Sequence, residues 1–230
     1  MILPYENFIG DSDGEELIWR LFKQELPKEY ISFHGYRACT RKPDIMLLVP
    51  DLGILVIENK SIHAKSIAKV LNNDTILRFN GPQIPSPLKQ ADRCGIALLE
   101  QVLKPGGIDS VMVYHAVSYP YINEEQFFEK HLDKISSREL TFLKEDFINF
   151  ETIKHRVDKI FELAYATIDV PTISKGGFNL VLMDQVANLI SPHYKEDLPT
   201  EEKKKAEKLQ KEVPTVHPDY SIICNITVTL

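Results

Sequence analysis

Residues 45–49 and 54–57 are apolar at every position instead of at alternate ones. Unbroken runs of that length mark strands covered on both faces. They predict two short strands over 44–49 and 53–58, joined by Pro50-Asp51-Leu52. Upstream, Leu17, Ile18, Leu21 and Phe22 recur at helical spacing and predict a helix over 14–26, capped by Ser12 or Asp13 and stopped by Pro27. Residues 30–36 read as a further strand, which makes an antiparallel meander with the hairpin. Between 61 and 87 the pattern is irregular, with a turn at Asn72-Asn73-Asp74 and a short strand over 75–79. Leu88, Ala91, Cys94, Leu98 and Val102 form a stripe that predicts a helix over 88–103, ended by Pro105-Gly106-Gly107. A buried strand follows over 109–118, then stretches helical in whole or in part over 124–132, 138–145 and 152–166 and a last amphipathic helix over 178–190, with Gly176-Gly177 as a loop. Residues 196–212 are a charge run with hardly any apolar face, expected to be a solvated helix or linker.

Polar residues at the ends of the hairpin change this picture. A turn centred on Asp51 sets Asp44 opposite Glu58 on the same face, with Cα atoms roughly 4.5–5.5 Å apart. Carboxylates that close repel unless a cation lies between them, and Lys60 projects on the same side as Glu58. Two readings of the cluster follow: a metal site suited to phosphodiester chemistry, or a cross-strand ion-pair network. Charge at the end of a buried strand is costly unless paired or metal-bound. On the first helix Glu15 leans toward the apolar side, with Ile18, Trp19 and Phe22 three, four and seven residues on, whereas Glu16 faces solvent. An acid in a first turn also serves as a partner of the helix dipole. Gln90 and Lys89 occupy the first turn of the 88–103 helix.

The chain has 230 residues, 43% of them hydrophobic and 26% charged, which fits one folded domain with an appendage. No apolar run approaches the ~18 residues of a membrane span, and the first residues lack the basic and apolar regions of a signal peptide. Cys39, Cys94 and Cys224 are odd in number and lack metal-ligand spacing, so reduced thiols in a cytoplasmic protein are expected. His115, His131 and His155 share no metal spacing either. The net charge of −6 argues against a general nucleic-acid binder. Locally the balance reverses: Arg37, Arg41 and Lys42 precede Asp44, and Lys60, His63, Lys65 and Lys69 follow Glu58. These positive charges either form a rim that tracks phosphates or are solvated loop charge. Residues 220–230 turn apolar again without a closing element, which predicts that the native chain continues or that this tail docks on a partner.

In this order, Gly14-Glu15 on a helix, Pro43-Asp44 on a strand, Gly53-Ile54-Leu55-Val56-Ile57-Glu58-Asn59-Lys60 on the next, and Pro87-Leu88-Lys89-Gln90 at a helix start resemble the PD-(D/E)xK nuclease superfamily. More narrowly they resemble the nuclease-related domain (NERD) family, over about residues 10–120. Asn59 departs from the family's frequent Val, on the face opposite Glu58 and Lys60. Residues 137–161, with Leu143-Lys144-Glu145-Asp146, are similar to the segment that joins this domain to a superfamily-one helicase in some members. The resemblance implies an α/β, restriction-endonuclease-like core, a central mixed sheet flanked by helices, with a helical C-terminal extension. It divides the chain into a nuclease-like core over 1–120, a helical extension over 121–192, and a charged linker and tail over 193–230.

It further implies Mg²⁺- or Mn²⁺-dependent hydrolysis of nucleic acid, DNA ahead of RNA, with a helicase domain as partner in cis or in trans and no membrane. Asp44 and Glu58 would hold the metal and Lys60 would position water or stabilise charge on phosphorus. Glu15 and Gln90 would support them, and Arg37, Arg41, Lys42, Lys65 and Lys89 would contact the polymer. The alternative is a catalytically inactive module of the same fold that binds nucleic acid or a helicase.

Overall fold

A computed structural model describes residues 13–35, 40–71, 74–168 and 175–191. Its centre is a five-stranded mixed sheet built from β1 (Ile31–His34), β2 (Ile45–Val49), β3 (Gly53–Asn59), β6 (Val113–Tyr119) and β7 (Thr141–Leu143), side by side in that order. The first three strands pair antiparallel, while β6 runs parallel to both β3 and β7. Every residue of β2 and β3 is buried, as their uninterrupted apolar runs require.

The two faces of the sheet are covered differently. Helices α1 (Asp13–Glu25) and α4 (Phe150–Thr167) pack on the face that carries Ile45, Leu47, Leu55, Ile57, Ala116 and Phe142. On the opposite face, α2 (Pro87–Leu98) crosses β3 and β6, with Ala91, Cys94 and Leu98 turned inward. Strands β4 (Ile67–Val70) and β5 (Ile76–Arg78) form a separate two-stranded ribbon. Ile67 and Ile76 of that ribbon are buried with Ile62, Val117, Tyr119 and Phe127, the last from α3 (Glu124–Glu129). Helix α5 (Leu180–Ile190) closes the described fold. The connection before it is tied to the β2–β3 turn, since Asp51 N–H donates to the Phe178 carbonyl at 2.9 Å and Gly176 N–H donates to the Asp51 carbonyl at 2.8 Å. No described helix is long and apolar enough to cross a membrane.

Local signals account for most boundaries. Ser86 caps α2 with Pro87 in its first turn, and Asn123, Asn149 and Asn179 cap α3, α4 and α5 through side-chain oxygens that accept backbone N–H groups. Gly53 opens β3 at φ 141°, and a Cβ there would lie 2.3 Å from the Met112 carbonyl oxygen. Only glycine lets β3 come this close to the start of β6.

Two expectations need correction and a third is narrowed. The stretch 61–87 holds a strand, β4, whose alternation is masked by a bulge between Ile67 and Lys69. The strand expected from 109 begins at Val113. Residues 138–145 are helical only in part: short 3₁₀ turns at Arg138–Leu140 and Lys144–Phe147 flank β7. There the Asp146 carboxylate accepts the Leu143 N–H at 2.8 Å and pairs with Arg138 and Arg156. Three residues are too few to show a period, and it is β6 alongside that makes them a strand. Both β7 and α4 lie beyond residue 120 and belong to the same sheet and core. Cys94 is buried and is not part of a disulfide. Cys39, Cys224, the Ser12 cap, the 196–212 charge run and the 220–230 tail fall outside the described residues.

Candidate active site

The β2–β3 register pairs Ile45 with Ile57, so Asp44 and Glu58 occupy the next positions outward. They share a face with Met46 and Val56, as the centred turn predicts. At that end of the hairpin the Asn59 backbone N–H donates to Asp44 Oδ2 at 2.8 Å. Glu58 is 7% exposed, and Lys60 Nζ donates to Glu58 Oε1 at 2.5 Å. The Lys60 backbone is fixed in turn by donating to the Ser118 carbonyl at 2.8 Å.

A third carboxylate arrives from the other side of the sheet. Glu15 sits in the first turns of α1, with its Oε2 3.6 Å from His34 Nε2 on β1. The His34 ring stacks on Trp19 with centroids 5.4 Å apart. What admits Glu15 is Gly14: a Cβ at that position would fall 2.0 Å from Ser61 Oγ, 2.9 Å from Ser61 Cβ and 3.2 Å from Asn59 Nδ2. Helix α1 therefore abuts the Ser61 and Asn59 side chains with no side chain of its own at the contact. Asn59 and Ser61 are themselves joined by a 2.8 Å hydrogen bond. Gly14→Ala is expected to cost about 1–3 kcal/mol by overpacking, seen as a lower melting temperature. Adding Ser61→Gly should recover part of that loss, which checks that the clash is its cause.

The electrostatics follow from this crowding. Burial foremost, then the Glu58 and Glu15 charges, push the Asp44 carboxyl up to about 7, against the opposing pull of the Asn59 N–H and of Lys60. Glu58 is also raised, by burial first and then by Glu15, with Lys60 holding it down. The Lys60 ammonium thus stands against both Asp44 and Glu58, while Glu15 adds a further negative charge nearby. A closed ion-pair network would balance its charges, and this cluster leaves an excess of negative charge at a partly buried point.

The donor pair Asp44 and Glu58 fits a hard divalent cation, because neighbouring carboxylate oxygens are ligands that Mg²⁺ and Mn²⁺ prefer. Among the described residues no three His, Cys, Asp or Glu side chains make a metal shell by themselves. Asp44 and Glu58 would hold the ion together with backbone carbonyls and solvent, as is usual for Mg²⁺.

The remaining candidates are placed less centrally. Gln90 is half-buried on α2 and its amide nitrogen donates to the Pro85 carbonyl at 3.0 Å. Lys89 pairs with Asp74 at 2.7 Å. Arg41, Lys42 and Lys65 are exposed, and Arg37 lies outside the described residues. The pattern gave no hint of His34, whose approach to Glu15 depends on α1 lying across β1, nor of Ser61 as the surface against which Gly14 packs.

Residues 10–120 match the family model of the Nuclease-related domain. No curated protein and no solved structure gives a match. The matched segment runs from the start of α1 past the end of β6, and so takes in Glu15, Asp44, Glu58, Lys60 and Gln90. Residues 10–120 of this chain are therefore a nuclease-related domain, built on a mixed α/β core of the restriction-endonuclease kind.

Proposed function

We propose that this domain hydrolyses phosphodiester bonds of nucleic acid, DNA in the first instance, at the Asp44–Glu58–Lys60 end of the hairpin with Mg²⁺ or Mn²⁺. The observation that carries the proposal is the placing of Asp44 and Glu58 at the same end of the hairpin, with Lys60 on Glu58 and the Glu15 charge acting on both carboxyls, inside a segment of nuclease-related type.

Asp44 and Glu58 would hold the cation, and the Asn59 N–H fixes one oxygen of the Asp44 carboxylate. A bound Mg²⁺ or Mn²⁺ supplies neutralisation of the phosphate charge and a nucleophile at neutral pH. Lys60 stands beside Glu58 with three N–H donors. It can keep one on Glu58 while another meets a phosphate oxygen where negative charge grows in the transition state. Glu15, with its Oε2 3.6 Å from His34 Nε2, adds negative charge that strengthens cation binding. Arg41 and Lys42, exposed just before Asp44, lie where a polyanion would approach.

The test is cleavage of single- and double-stranded DNA and RNA with Mg²⁺ or Mn²⁺, with wild type and Asp44→Ala purified side by side. Metal-dependent cleavage that falls at least ~10²-fold in Asp44→Ala is the expected result. Equal cleavage by both proteins would remove this site from the reaction.

A further inference from the structure

Phe79 stands out on the surface: it is 68% exposed, more than any other large hydrophobic residue described. It immediately follows β5, and its N–H donates to the Ser66 carbonyl at 3.0 Å, beside exposed Lys65. Leu77, two residues earlier and on the same side of the strand, pairs across the ribbon with Lys69, which is also exposed. The ribbon beneath is firmly seated, because Ile67 and Ile76 are 1% and 0% exposed. Phe79 is thus held outward by a fixed support.

Charge around it runs opposite to the rest of the chain. From Lys60 to Lys89 there are five basic residues (Lys60, Lys65, Lys69, Arg78, Lys89) and one acid, Asp74, in a protein of net charge −6. The position also bears on the site. Ser66, to which Phe79 is bonded, is six residues from Lys60, a span of at most about 20 Å. Val117 and Tyr119, packed under the ribbon, belong to the strand beside Glu58.

An aromatic ring amid lysines matches the chemistry of a nucleic-acid strand, in which bases stack on the ring while phosphates meet the cations. In a duplex the base faces are already stacked on one another, so a ring on a rigid ribbon has a base to cover only where the strand is unpaired.

We propose that the β4–β5 ribbon binds unpaired nucleic acid, with Phe79 stacking on a base and Lys65 and Lys69 contacting the flanking phosphates, so that the domain receives a single-stranded segment or a frayed end. This rests on the nuclease reading for the identity of the polymer, and it is tested without cleavage.

The experiment is fluorescence anisotropy of the full chain in a metal chelator, with a labelled oligothymidylate of about 20 nucleotides and a blunt duplex of equal length. Phe79→Ala is expected to weaken single-strand binding roughly tenfold and duplex binding by less than about twofold. Phe79→Trp should retain affinity, and its added fluorescence should be quenched as the single strand binds. Replacing Lys65 and Lys69 by alanine should flatten the salt dependence by roughly 0.7 per lost phosphate contact. Equal binding of the single strand by wild type and Phe79→Ala overturns the proposal. So does an equal loss for duplex, or a Phe79→Ala effect confined to the oligomeric state. Because binding is read in a chelator, cleavage does not enter the measurement, which separates failure of the ribbon from failure of the nuclease site.

Discussion

Lys60→Ala is expected to lower cleavage by ~10²–10³-fold while the protein still binds a divalent cation, the range found when one transition-state donor is removed. Lys60 Nζ touches Glu58, not Asp44, and the two carboxylates remain after the change. The variant also loses the group that holds the Glu58 carboxyl down. Glu58 then rises further, so cation binding in Lys60→Ala should need a higher pH than in wild type. Ca²⁺ affinity within a few-fold of wild type at about pH 8, combined with the loss of cleavage, separates a catalytic Lys60 from a structural one. If cation binding disappears with cleavage, Lys60 serves only to hold the carboxylates in place.

Asp44→Asn is expected to make the domain more stable and inactive together. The Asp44 carboxyl titrates at about 7 in the fold, against 3.8 for an unperturbed one. Between those values the native state keeps a proton that the unfolded chain has released. Stability therefore falls as pH rises through that window and levels off above it. At about pH 8 the ionised carboxylate opposes folding by a few kcal/mol, and Asp44→Asn should be more stable by ~2 kcal/mol, about 5 °C in melting temperature. At about pH 4 both forms are neutral and the difference should vanish. The asparagine oxygen can still accept the Asn59 N–H, so a structural bond is not what is being removed. Saturating Mg²⁺ should reverse the order: wild type gains ~2.7 kcal/mol at a hundredfold excess over Kd, and Asp44→Asn gains little. A wild type less stable than its variant at neutral pH, and rescued by the cation, is the pattern of a site organised for binding at the expense of stability.

The central pair was legible in the sequence because of local geometry. Two apolar runs of five and four residues and a three-residue turn leave a hairpin little freedom of register, and the register places Asp44 against Glu58. The helices were legible for the same kind of reason, since an apolar stripe of 11–18 residues with a capping Ser or Asn leaves little choice of structure.

What escaped depends on contacts between distant parts of the chain. Glu15 reaches the site because Gly14 lies against Ser61, 47 residues away in sequence, and nothing near Gly14 announces that meeting. His34 was an ordinary strand residue until α1 set Glu15 against it. β7 is three residues long and exists as a strand because β6 runs beside it. In β4 the bulge broke the alternation that would have revealed it. The family order of motifs supplied what periodicity could not, joining Glu15 and Gln90 to the hairpin. For Gln90 the structure shows a bond to its own loop at Pro85.

Calorimetric titration with Mn²⁺ at about pH 6 and about pH 8 tests most directly whether the carboxylate pair is a cation site. Wild type should bind at both, releasing a proton at the lower pH, where Asp44 is largely protonated, and little at the higher. Asp44→Asn and Glu58→Gln should each lose most of the binding. No Mn²⁺ binding by the wild type, or undiminished binding by Glu58→Gln, would contradict the account.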